Sequence, residues 1–222
     1  RAGISGVSFA LAPRRAAYVP LGHRYLGVPR QITLSAFAGI MGPLLADPGI
    51  RKLGHDTKRA DVVLRRHGMR LLGVTFDAML GSYLLDPEAA HDLATVAERE
   101  AGVRMTVFDA IAAKQRGKPA PTLDEVPLEE AAPFAGASAD AILRVADKQL
   151  PRLAQAEVLD TMLQRLGQRH ACCRRLQCHG AAHLAPPPGQ HRHSDADEAI
   201  HKLLRVGGVA LPQDLLQFGL QG

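Results

Sequence analysis

The stretch from Arg51 to Pro87, RKLGHDTKRADVVLRRHGMRLLGVTFDAMLGSYLLDP, constrains the fold more than any other part of the chain. Arg51 to Gly54 reads as a short strand and Thr57 to His67 as a helix. Arg70 to Thr75 reads as a second strand, and another helix opens near Asp77. Within the first helix, Ala60, Val63, Leu64 and His67 fall at i, i+3, i+4 and i+7, which predicts one buried stripe. Lys58, Arg59, Arg65 and Arg66 leave the other side cationic. Asp56, just ahead of the helix, has the side chain of an N-cap.

Strand and helix alternate in this stretch, so the chain is expected to fold as an α/β protein. Its 222 residues suit one such domain of about 150 residues with an appendage. At 46% apolar residues it has enough material for a core. A net charge of +5 and a pI near 9.4 favour an anionic partner, nucleic acid being the commonest, with plain solubility as the alternative. No run approaches the roughly 18 apolar residues of a membrane span, and no signal peptide opens the chain, so a cytoplasmic location is expected. The sequence starts at Arg1 rather than Met and reads as a fragment or a trimmed product. Neither G-x-S-x-G nor G-x-x-x-x-G-K-[ST] occurs, which leaves a nucleophilic hydrolase or a P-loop enzyme without support.

Ahead of the central stretch, Gly3 to Ala12 and Ala16 to Leu21 read as two strands of a hairpin turning at Pro13-Arg14-Arg15. Ser35 is placed to cap a helix whose apolar face is Phe37, Ile40, Met41, Leu44 and Leu45, with a kink expected at Pro43. Beyond it, Pro87 to Gly102 reads as a helix with Leu93, Val96 and Ala97 inward, and Phe108 to Ala112 as a short one. Arg116 to Thr122 is a loop by composition. Val126 to about Leu150 returns to helix with Ile142, Leu143, Ala146 and Leu150 on one face.

The central stretch resembles the 3′–5′ proofreading exonuclease domain of bacterial DNA polymerase I (a family A polymerase). That family carries K-x-G-Q/H-N-x-K-Y-D, a helix ending in H-G, and then G-x-x-F-D-T-M-L-x-S-Y-L-L-D. Lys52, Gly54, Lys58, His67-Gly68, Gly73, Phe76-Asp77, Met79-Leu80 and Ser82-Tyr83-Leu84-Leu85-Asp86 match in place. The likeness extends back through Gly3–Leu21 and GHRYLGVPRQ, and forward through PLEEAAPFAGASADAILR to about Ala154. It implies a ribonuclease H-like α/β fold over residues 1–154, followed by a linker and irregular tail over 155–222. The first, central strand of that fold carries a D-x-E pair and should come just before Gly3, where only Arg1 and Ala2 stand; the fold is therefore expected to lack it.

The resemblance also implies chemistry. The family holds two divalent cations, Mg²⁺ or Mn²⁺, on carboxylates. One cation activates water and the other stabilises the leaving 3′ oxygen. Beyond the D-x-E pair, the ligands are an Asp on the helix after K-x-G-x-N and a Y-x-x-x-D pair on the last helix. Ala60 stands at the first of these positions, with Asp61 next to it but turned by roughly 100° and read as a solvated charge. Phe134 replaces the water-orienting Tyr, and Ser138 replaces the Asp. Asp140 matches a further acidic position, read as structural. Asp61 and Asp140 are thus the remaining metal-ligand candidates, and the catalytic positions are degenerate. Tyr83 and Phe76 are read as core rather than as base-stacking platforms.

After about Gln164 the text changes to QRHACCRRLQCHGAAHLAPPPGQHRH, with no apolar period. It reads as a shifted frame in a GC-rich gene beginning near Leu163, with divergence or a linker as alternatives. Cys172, Cys173, Cys178, His179 and His183 supply enough zinc ligands, yet their spacing fits no usual pairing and is read as an accident of composition. The functional expectation is a DNA polymerase I-type exonuclease fragment. It would contact a single-stranded DNA 3′ end through Lys58, Arg59, Arg65 and Arg66, need no cofactor, and neighbour a polymerase domain. The alternatives are a residual two-metal exonuclease and a truncated product without function.

Overall fold

Residues 3–112 and 121–176 are described by the structure, a computed structural model, with side chains to residue 167. β1 (Gly6–Ala12) and β2 (Arg15–Pro20) pair antiparallel, Val7 opposite Val19 and Phe9 opposite Ala17, with a bulge between Ala10 and Ala12. The turn is made by Arg14 at φ 64. The ladder starts three residues later than Gly3, and the amides of Leu21 and Gly22 both donate to the Ser5 carbonyl to close its open end.

The loop that follows is fixed at several points. Gln31 bonds both the amide and the carbonyl of His23, each at 2.8 Å. The buried His23 ring reaches the Val126 carbonyl through Nδ1 at 3.1 Å and the Tyr18 hydroxyl through Nε2 at 2.7 Å. A carbonyl only accepts, so Nδ1 carries the proton and Nε2 accepts from Tyr18. Burial lowers the His23 pKa and raises that of Tyr18.

α1 (Leu34–Ala46) is capped by Thr33, whose hydroxyl accepts from the Ala36 amide at 3.1 Å, rather than by Ser35. Phe37, Met41 and Leu45 are its buried face, and Pro43 lies inside the helix. β3 (Lys52–Gly54), α2 (Thr57–Arg66) and β4 (Val74–Asp77) form a parallel strand–helix–strand unit.

β4 begins four residues beyond the expected Arg70. The chain before it is committed elsewhere: Met69 donates to the Leu64 carbonyl and Leu72 to the Leu45 carbonyl. Met69 and Leu71 are buried all the same. Gly73 turns the chain into β4 at φ 72, where a Cβ would lie 2.5 Å from the Ile50 carbonyl oxygen. The two ladders are separate two-stranded sheets among the described residues.

α3 (Ala78–Leu85) follows β4 directly. α4 (Leu93–Ala101) starts later than Pro87 because Asp92 caps it, accepting from the Thr95 amide at 3.0 Å; that bond holds the Asp92 carboxyl below its ordinary range. A single turn, α5 (Phe108–Ile111), precedes the long α6 (Leu128–Gln155). On α6 the buried residues are Ala131, Ala135, Ala141, Val145, Ala146, Gln149 and Leu153; Ile142, Leu143 and Leu150 are only half-buried. Small residues on this face let α3 and α4 approach closely, and the bulkier ones flank the contact.

α7 (Leu159–Leu176) carries the packed region past Ala154: Met162 and Leu166 are buried with Phe76, Val96, Ala97, Val145 and Leu153. A second cluster joins Val19, Ile32, Phe37, Met41, Leu45, Leu64, Met69 and Leu71, and Val74 touches both. Among the described residues, no helix is long and apolar enough to cross a membrane. The Cys/His group lies outside the described side chains.

Candidate nucleic-acid interface

The cationic helix α2 is set by a buried carboxylate. Asp77, at the end of β4, is fully buried. Its Oδ2 accepts from the Thr57 amide at 2.9 Å and the Thr57 hydroxyl at 2.7 Å. Its Oδ1 accepts from Asp56, Met79 and Leu80 amides at 3.3, 3.0 and 3.2 Å. One side chain therefore caps α3 and pins the first turn of α2. Asp56 adds the ordinary cap, accepting from the Arg59 amide at 3.4 Å from a left-handed backbone.

This pin rotates α2 relative to the expected stripe. Thr57 and Leu64 are buried, Val63 and His67 are half-buried, and Ala60 is exposed. Lys58, Arg59 and Arg66 are exposed, with Val62 between them. At about 100° per residue these four positions share one arc of roughly 100° opposite Thr57 and Leu64.

Arg65 does not join that face. Its guanidinium turns onto Asp61 at 2.8 Å, and the two side chains are 19% and 15% exposed. Asp61 is thus an inward, ion-paired carboxylate and not a solvated charge; its Oδ1 also accepts from the Leu71 amide at 3.4 Å. Lys52 is turned away as well. Its ammonium donates to the Asp47 carbonyl beyond α1, and burial lowers its pKa to about 8.

The other expected positions sit on α6. Phe134 is half-buried against Phe108, ring centroids 5.9 Å apart at 59°. Ser138 donates its hydroxyl back to the Phe134 carbonyl at 3.1 Å. Asp140 pairs with Arg144 at 2.7 Å and accepts from the Arg14 amide, which ties the hairpin turn to α6. No three His, Cys, Asp or Glu side chains converge to hold a metal among the described residues. The donor set does not fit two divalent cations: the two candidate carboxylates are each held by an arginine, and alanine and serine occupy the other positions.

Two residues that the sequence marked only as motif matches or core take other roles. Asp77 looks like a simple cap, and its bonds to Thr57 depend on the tertiary fold. Tyr83 is exposed, at 54%, where a core position was expected, whereas Phe76 is fully buried.

A parallel strand–helix–strand unit flanked by a hairpin and packed under a long helix is an α/β arrangement consistent with a ribonuclease H-like domain. Residues 23–111 match the family described as DNA polymerase I, ribonuclease H-like domain. DNA polymerase I of Pseudomonas aeruginosa is 40% identical over 148 residues, 65% of this chain and 16% of its own length. The enzymes of Chloroflexus aurantiacus and Synechocystis sp. are 31% and 30% identical over 68% and 73% of this chain, again 16% of their own lengths. The polymerase domain of Pol1 from M. smegmatis, solved with primer-template DNA and dNTP, covers 72% of this chain and 26% of its own at 23% identity, TM-score 0.46. Over about two thirds of its length the chain is similar to the 3′–5′ exonuclease domain of DNA polymerase I, and it spans 16% of the length of these relatives.

Proposed function

We propose that this domain contacts single-stranded DNA near a 3′ end, as a neighbour of a polymerase domain, and that it does so without cleaving the strand. The observation that carries the reading is the exposed arc of Lys58, Arg59 and Arg66 on a helix locked in place by Asp77. Phosphate contacts need charge and reach, and these three side chains supply both. The lack of cleavage rests on Ala60, Phe134 and Ser138 at the positions where the family places its ligands and water-orienting group, and no metal is required. The two separate two-stranded sheets are read as parts of one family sheet whose middle strand does not pair within the described residues.

The test is anisotropy of a labelled single-stranded oligonucleotide across a salt series. Neutralising Lys58, Arg59 and Arg66 together removes about 2 from the slope of log affinity against log salt, at roughly 0.7 per contact. An unchanged slope overturns the assignment of this face. In parallel, end-labelled strands with Mg²⁺ or Mn²⁺ should stay intact; nucleotide release that disappears in Asp61→Ala would establish a residual two-metal exonuclease instead.

A further inference from the structure

We propose that Tyr83 is a stacking platform for a nucleobase of the strand whose phosphates lie on α2, an inference that rests on the DNA-contact reading above. Tyr83 is the exposed aromatic among the described residues; the other phenyl, phenol and imidazole rings there are buried or half-buried. An exposed tyrosine on a mobile segment has no meaning of its own, but this ring is seated. It meets the His91 ring edge to face, centroids 5.6 Å apart at 72°. His91 is itself fixed: a hydrogen bond of 2.8 Å joins its Nδ1 to the buried Ser82 Oγ, to which Arg99 also donates at 2.7 Å. Arg99 reaches on to the Ala90 carbonyl at 3.2 Å, so the loop carrying His91 is held at both sides of that residue.

The seat is joined to the cationic helix. His55 Nε2 donates to the His91 carbonyl at 2.8 Å. His55 stands at the end of β3, immediately before the residues that Asp77 pins and the turn that presents Lys58 and Arg59. Asp77 also caps the helix on which Tyr83 rides. Platform and cations are therefore positioned by the same buried carboxylate on one side and by His55 on the other. Asp86 and Glu88 follow the C-terminal end of α3 and disfavour a strand running past them, while Asp92, next to His91, has its carboxylate engaged by the Thr95 amide as the cap of α4. A base on an aromatic face with phosphates on adjacent cations is how single strands are bound without regard to sequence. Hydroxyl chemistry is not needed, so phenylalanine should serve as well as tyrosine.

The experiment uses the full chain and a single-stranded oligonucleotide with one 2-aminopurine, whose fluorescence is quenched by stacking. Wild type, Tyr83→Phe, Tyr83→Leu and the Lys58→Ala/Arg59→Ala pair are compared by anisotropy and by quenching at saturation. Tyr83→Phe should match wild type, and Tyr83→Leu should lose the quench and bind roughly 5- to 100-fold more weakly. The Lys58/Arg59 variant should bind more weakly with a smaller salt slope and keep its quench once saturated. Equal affinity and quench in Tyr83→Leu and wild type, with binding lost in the Lys58/Arg59 variant, overturns the platform and leaves the α2 reading intact. A wild type that does not bind overturns both.

Discussion

Asp77 gathers five donors onto one buried carboxylate, four of them backbone amides from two helix starts. A methyl in its place strands those donors where water does not reach. Asp77→Ala should therefore cost about 3 kcal/mol or more in urea unfolding, since each orphaned donor costs of order 1–3 kcal/mol and losses in one network are not additive. His23 makes a different prediction. Its folded pKa lies below the ordinary 6.5, set chiefly by burial and opposed by the Val126 bond and the Asp124 charge. The unfolded chain then takes up the proton first. This contribution is complete above pH 6.5 and is lost as pH falls toward the folded value. Wild type should lose stability over that window by more than His23→Gln does, measured as the denaturation midpoint against pH.

At the scale of elements, the helix–helix contacts turn on small residues and one misplaced amide. Gln149 is fully buried between α3 and α6, and neither its Nε2 nor its Oε1 has a partner among the described residues. Its Oε1 lies 2.6 Å from where a Cβ on Gly81 would stand, so the two helices meet there with no space left. Gln149→Met keeps the shape and removes the stranded amide; thermal or urea unfolding should show a gain of about 1–3 kcal/mol. Gly73→Ala should cost at least about 1–2 kcal/mol on backbone strain alone, with the Ile50 carbonyl in the way as well.

These elements also show what the sequence could tell. The βαβ order around α2, the hairpin and the inward Val96 and Ala97 were legible because period and turn chemistry are local. The rotation of α2 was not, because Thr57 is drawn inward by Asp77, a residue from the next strand. The α6 face was misread for a related reason. Ala146 is buried as expected, but bulk also marks Ile142 and Leu143 as core, whereas the close approach of α3 and α4 selects Ala141 and Val145. At the site, the cationic positions could be read, and so could the i,i+4 spacing of Asp61 and Arg65; that this pair is largely buried could not, since burial depends on what packs over α2.

For the molecule as a whole, α7 belongs to the core on which the interface stands. Met162 is fully buried beside Phe76 and Leu153, so Met162→Ala should cost about 2–5 kcal/mol. Cutting the chain after Gln155 removes Met162 and Leu166 together and should leave an unfolding transition that is broad or absent by circular dichroism. The shared seat of α2 and α3 has a consequence in time as well as in space. Amides that answer to a single acceptor are released together when that acceptor is let go. In a deuterium-labelling experiment, Asp56, Thr57, Met79 and Leu80 should therefore take up label at one common rate. That shared clock would mark the two helices as one breathing unit, although a whole strand separates them along the chain.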